Sequence, residues 1–291
     1  MQTPDTGKIT TDEIQTPLLQ NKKIEFSVLR LDKIHPVISG NKWFKLKYHL
    51  ENYNAATYKG ILTFGGAWSN HIVSTACACY LQKIKCVGII RGEKPAHLSV
   101  TLNEAIKYGM ELKFISRESY SRKENDDFLA TITKEFPGYY IIPEGGAGAE
   151  GEKGASEILQ HATGKKYTHI ACAVGTGTMF NEISKSVSAN QEVIGIVVLK
   201  GWKEKNDNTA KHIYDYHFGG YAKYDASLID FMNEFYKLTN IPTDFVYTGK
   251  LAYAMFDLIK KDRLAPDSKI LMIHSGGLQG NASLQKGSLI F

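Results

Sequence analysis

The stretch GILTFGGAWSNHIVSTACACYLQKIKCVGIIRG, residues 60–92, sets the pattern for the chain. GILTFGG is a short apolar run that stops at glycine, as a buried strand entering a turn does. SNHIVSTACACYLQ carries small and apolar residues at helical spacing, and Ser69 stands where it can cap the first turn. KCVGIIRG is strand-like again. Strand, glycine turn, helix and strand in that order form a βαβ unit, which requires a parallel sheet with helices packed on its faces.

The same rhythm runs outward. AHLSVTLNEAIKYG predicts a helix closed by Gly109, MELKFIS a strand, the charged run Glu118–Glu135 one helix, and YYIIPEGG a strand ending in Pro and Gly. After the glycine-rich segment GGAGAEGEKG, residues 145–154, a second series begins. ASEILQHA and MFNEISKSVS read as helices, and YTHIACAV, EVIGIVVL and KILMIH as strands; further helices are expected over Asp225–Leu238 and Lys250–Lys260. The expected fold is α/β, with two open, twisted, mostly parallel sheets and helices on both faces.

Composition narrows the function. The 291 residues carry 35 Lys+Arg against 30 Asp+Glu, a formal net charge of +5, and 43% are hydrophobic. This excludes disordered and collagen-like chains. No apolar run approaches the ~18 residues of a membrane helix. The positive excess is small and interleaved with acids, so it gives no argument for nucleic acid. The N-terminus lacks an apolar signal region, and a cytoplasmic location is the default expectation. Cys77, Cys79, Cys86 and Cys172 have no zinc-ligand spacing and read as buried reduced thiols, so no metal is expected.

Chemistry is expected where strands run into turns rich in Gly, Ser, Thr and Asn, since parallel sheets gather ligands at their carboxyl edges. Gly175, Thr176, Gly177 and Thr178 open a helix after such a strand. Glycine allows close backbone approach, and free amides at a helix start hold an anion. A capped tight turn explains the same four residues. The run Trp68, Ser69, Asn70, His71 suits a carboxylate, although helix capping by Ser69 explains it equally. Lys42 follows a Gly-Asn turn at the head of a helix in an aromatic setting, where a lysine can be desolvated and made nucleophilic. HSGG, residues 274–277, ends a strand, while Tyr247 with Thr248, and Tyr221 after a glycine pair, lie beside other turns.

Taken together, GNK followed by KLxY, GGxxSNH, the Gly/Thr turn, VYTGK and HSGG occur in an order that resembles the pyridoxal-phosphate enzymes of the tryptophan-synthase-β fold type (fold type II). More narrowly, the set is similar to the 1-aminocyclopropane-1-carboxylate deaminase/D-cysteine desulfhydrase family, over about residues 15–285. The resemblance implies pyridoxal 5'-phosphate in a cleft between two domains. The large domain would comprise residues 1–45 and 146–291, and the small inserted one residues 46–145. It implies that Lys42 bonds to the cofactor aldehyde and that Lys45 approaches the phosphate with Gly175–Thr178. Asn70 donates to the ring oxygen, and Ser275 lies near the pyridine nitrogen. Ser69 stands beside the substrate, the backbone of residues 69–71 receives its carboxylate, and Trp68, His71 and Thr248 complete the substrate side. Tyr221 and Tyr247 match two active-site tyrosines. A homodimer acting on a small amino acid is implied as well.

Members that open a cyclopropane ring resemble one another in a Glu after the second tyrosine and a Leu after the His of the last motif. Here those positions are Thr248 and Ser275, a pattern similar to the desulfhydrase side. Two further departures, Phe44 for an Arg and Trp68 for a Gln, bear on the substrate. The expected activity is therefore a lyase or deaminase reaction, β-elimination from D-cysteine or a close analogue to pyruvate, ammonia and sulfide. The alternatives are ring opening of 1-aminocyclopropane-1-carboxylate to 2-oxobutanoate, and a non-catalytic amino-acid-binding protein that kept the fold.

Overall fold

A computed structural model describes residues 3–164, 166–202 and 211–291. In chain order its elements are β1 (Thr11–Ile14), α1 (Pro17–Asn21), β2 (Glu25–Arg30), α2 (Asn41–Asn52), β3 (Gly60–Gly65), α3 (Asn70–Gln82), β4 (Cys86–Arg91), α4 (Val100–Lys107), β5 (Met110–Ile115), α5 (Arg117–Ser121), α6 (Asp126–Glu135) and β6 (Tyr139–Ile142). They continue with α7 (Ala149–Ser156), β7 (His169–Val174), α8 (Thr178–Ser186), β8 (Glu192–Val197), β9 (Lys211–Ile213), α9 (Ala226–Thr239), α10 (Thr248–Lys260) and β10 (Lys269–His274).

The chain forms two compact units. One is Lys42–Gly154 with the first residues of the chain; the other joins Asp5–Asn41 to Ala155–Phe291. The sequence reading set the crossings at 45/46 and 145/146. In the first unit a parallel four-stranded sheet has the order β5-β4-β3-β6. Leu62, Phe64, Val87 and Ile89 bury one face of it against Tyr120, Phe128 and Ile132 of α5 and α6. In the second unit the order is β1-β2-β10-β7-β8-β9, parallel except for β1. Phe26, Ala171, Ile194 and Met272 pack there on Leu251, Met255 and Ile259 of α10 and Phe235 of α9. From their second residue onward β7, β8 and β10 are buried without alternation, as strands covered on both faces must be.

The local reading needs three corrections. The charged run from Glu118 to Glu135 is not one helix. It breaks at residues 122–125 because Asn125 takes an extended conformation, and Asp126 and Asp127 open a new helix whose positive end they complement. The glycine-rich segment is not a bare connection, since α7 begins inside it. Its glycines serve close packing: a Cβ on Gly154 would stand 1.7 Å from the Phe44 carbonyl oxygen, and one on Gly151 1.8 Å from that of Gly146. Finally, the antiparallel pair β1–β2 precedes the region where the sequence rhythm becomes regular. All four cysteines are buried free thiols.

In the second unit the turn before α2 meets the turn after β10, backbone on backbone. Gly40 has φ +63°, and a Cβ there would lie 1.8 Å from the Ser275 carbonyl oxygen. The Gly40 amide donates to the Leu31 carbonyl, and the Asn41 amide to that of Ser275 at 3.2 Å. Gly40→Ala therefore combines a left-handed penalty with a backbone clash. It is expected to cost about 2 kcal/mol or more, read as a fall in Tm of roughly 5 °C. An unchanged Tm would contradict this packing.

Candidate functional site

In the first unit, α2 presents Lys42 and Lys45 within one turn. Lys42 is half-buried, and Lys45 is buried at 4% exposure. Burial, reinforced by the charge of Lys42, pushes the Lys45 ammonium down to about 7. Phe44, between them, is fully buried and forms part of the interior.

Ser69 ends the turn after β3 as the N-cap of α3, its Oγ accepting the Ile72 amide at 3.4 Å. Asn70 and His71 are the first residues of the helix and are buried; Trp68 is exposed at 38%. The Thr63 hydroxyl donates to the Ile142 carbonyl at 2.9 Å, so at 2.8 Å it accepts from His71 Nε2. That fixes the tautomer and leaves His71 Nδ1 as a buried acceptor that no described group satisfies. Burial, with the charges of Lys42, Lys45 and His49, pushes the His71 imidazolium well down, and the ring stays neutral. His49, which the sequence reading missed, is neutral for the same primary reason, burial. It lies 3.2 Å from both the Ala147 carbonyl and the Tyr140 hydroxyl.

In the second unit, three strand-ending turns carry the remaining candidates. Gly175–Thr178 joins β7 to α8, with Gly177 at φ +93° as the cap. Glycine has no side chain to close the first helical amides, so a capping threonine is not the reason for this turn. Tyr247 leans on it: a Cβ on Gly175 would lie 3.1 Å from the Tyr247 ring. Tyr221, 43% exposed, meets Tyr247 edge-on with ring centroids 6.3 Å apart. Ser275 follows β10 and precedes two left-handed glycines, Gly276 and Gly277. Beside it, His274 Nε2 donates to the Pro242 carbonyl at 2.7 Å, and Nδ1 lies 3.3 Å from Asp32 Oδ1. Burial would raise the Asp32 carboxyl, but His274 and a two-point Arg30 contact hold it below its usual range.

Thr248 is the first residue of α10 and is fully buried. Its hydroxyl donates to Asp244 Oδ1 at 2.7 Å and accepts the Asp244 amide at 2.8 Å. Asp244, also missed, takes the amides of Val246, Tyr247 and Thr248 on its two oxygens. Burial raises its carboxyl, against the pull of these donors. This carboxylate ties down the backbone of Tyr247, and the signal for it was an acid just ahead of a helix start.

The donor set suits a phosphorylated aldehyde. In the first unit it comprises a half-buried lysine and a buried lysine; the second unit separately carries a glycine-capped helix start suited to an anion. In cofactor-free protein, Lys45 has a pKa of about 7 when folded against an ordinary 10.5. The unfolded chain binds the extra proton in that window, so Lys45 destabilises fully below pH 7, and the penalty fades as pH rises. Lys45→Met is expected to raise the Tm at pH 7, with the advantage vanishing by about pH 10.5. An offset independent of pH would contradict this.

Comparison with known proteins agrees with these observations. Residues 9–276 match the family model "Pyridoxal-phosphate dependent enzyme". A relative from Pyrococcus horikoshii named a putative 1-aminocyclopropane-1-carboxylate deaminase is 28% identical over 84% of this chain and 81% of its own. A bifunctional D-cysteine desulfhydrase/1-aminocyclopropane-1-carboxylate deaminase of Arabidopsis thaliana is 27% identical over 84% of this chain and 70% of its own. The crystal structure of an ACC deaminase homologue superposes with a TM-score of 0.80 at 24% identity, covering 94% of this chain and 90% of its own. The chain belongs to the pyridoxal-phosphate dependent enzyme family.

Proposed function

We propose that the chain catalyses β-elimination from a small amino acid, with D-cysteine as the model substrate, releasing pyruvate, ammonia and sulfide. When bound, pyridoxal phosphate supplies an electron sink for the substrate's α-carbon. Lys42 would be the residue that holds the cofactor's aldehyde, and its amine would serve as the base for the α-proton. By the resemblance, Lys45 and the amides of Gly175, Thr176, Gly177 and Thr178 would hold the phosphate, and Asn70 would orient the ring oxygen. Ser69 and the amides of residues 69–71 receive the substrate carboxylate, with Trp68 at the edge of this segment. Tyr247, or Tyr221 edge-on to it, gives a proton to the departing sulfur. The Ser275 hydroxyl, in place of a carboxylate, leaves the pyridine nitrogen largely unprotonated, which favours elimination over transamination.

The observation that carries the preference for elimination is Thr248. No carboxylate stands at this position, and its hydroxyl is spent on Asp244. A second reading, ring opening of 1-aminocyclopropane-1-carboxylate, is favoured by the name of the Pyrococcus relative. The holoprotein should turn D-cysteine over to pyruvate and sulfide and yield no 2-oxobutanoate from the cyclopropane substrate. Production of 2-oxobutanoate would replace the first reading with the second.

A further inference from the structure

Lys250 is the third residue of α10 and is fully buried, with 0% exposure. The location opposes a cation twice. Burial strips its hydration, and the first turn of a helix carries the positive end of the dipole. Burial pushes the ammonium down to about 8, and nearby Asp244 pulls the other way. Chain direction alone would not keep a lysine here, so its partners must account for it.

Those partners are two backbone carbonyls. Lys250 Nζ donates to His217 O and to Gly220 O, each at 2.8 Å, and lies 6.0 Å from the centre of the Phe218 ring. The segment it grips is held in a costly conformation. Phe218, Gly219, Gly220 and Ala222 have φ of +53°, +93°, +123° and +52°. Phe218 and Ala222 are not residues that adopt the left-handed region cheaply. The segment's own bonds are short-range, from the Gly219 amide to His217 Nδ1 and from the Gly220 amide to His217 O, both at 2.9 Å, and from the Lys223 amide to Gly220 O at 3.2 Å. Lys250 adds a tie from α10, reaching across 30 or more residues of sequence.

Tyr221 sits inside this strained segment, and Tyr247 stands three residues before Lys250. We propose that Lys250 is a positioning residue: its ammonium fixes the carbonyls of residues 217 and 220 and thereby sets Tyr221 edge-on to Tyr247. This rests on the reading in which those tyrosines serve the substrate. It also assigns a purpose to the lysine of VYTGK, which has no part in the chemistry proposed above. Methionine in its place keeps the length but removes the tie from α10, leaving these carbonyls only their short-range amide partners and letting the segment relax.

The test uses the holoprotein carrying Lys250→Met. Cofactor absorbance should match the wild type. The kcat for product release should fall about 10²-fold with KM little changed, since a misplaced proton donor is felt in the transition state. Amide exchange over residues 217–222 should accelerate, and in Lys250→Ala, whose shorter side chain leaves room, added methylammonium should restore part of kcat. Wild-type kcat, or slow exchange as in the wild type, would overturn the proposal. Gly219→Ala, which leaves Lys250 intact but strains the same segment, provides the second variant. It should lose kcat similarly without methylammonium rescue, and wild-type turnover would overturn the proposal. Tyr221→Phe and Tyr247→Phe separate the two layers. If either is impaired while Lys250→Met is not, only the role of Lys250 falls. If both turn over normally, the reading of the tyrosines falls and the proposal with it.

Discussion

The contact between Gly40 and the Ser275 carbonyl is the constraint on which the rest depends. It leaves no room for a Cβ, and the Asn41 amide closes it with a hydrogen bond. Two turns at the carboxyl edge of one sheet, after β2 and after β10, are thereby locked backbone to backbone. The next residue in the chain is Lys42, so the start of α2 inherits its place from that lock. Side chains are easily repacked, whereas a fit made by glycine and a carbonyl tolerates little change.

Around this frame the two units handle buried charge differently. In the first, burial keeps His71 and His49 neutral, with Lys42 and Lys45 adding to the effect at His71, and burial lowers the Lys45 ammonium as well. In the second unit the charges are already answered. Asp244 is met by three amides and a hydroxyl, Lys250 by two carbonyls, and Asp32 by Arg30 and His274. The second unit thus uses fixed polar groups to shape its turns.

Much of this was legible in the sequence because it is local. The period of apolar residues exposed the strands and helices from Gly60 onward, and glycine with Ser, Thr or Asn marked the turns at their carboxyl ends. What could not be read depends on distant partners. Nothing near Gly151 and Gly154 announces that their missing side chains admit the carbonyls of Gly146 and Phe44. The bond of Thr248 to Asp244, and those of Lys250 to residues 217 and 220, are invisible in the sequence. The tautomer of His71 is set by Thr63 on a neighbouring strand, which no spacing rule connects to it.

The central claim is that Lys42, at the head of α2, carries the cofactor. Borohydride reduction of the holoprotein, followed by proteolysis and mass analysis of the peptides, tests it most directly. The account predicts that the reduced pyridoxyl phosphate is found on Lys42. Recovery of the label on Lys45, Lys250 or any other lysine would contradict it.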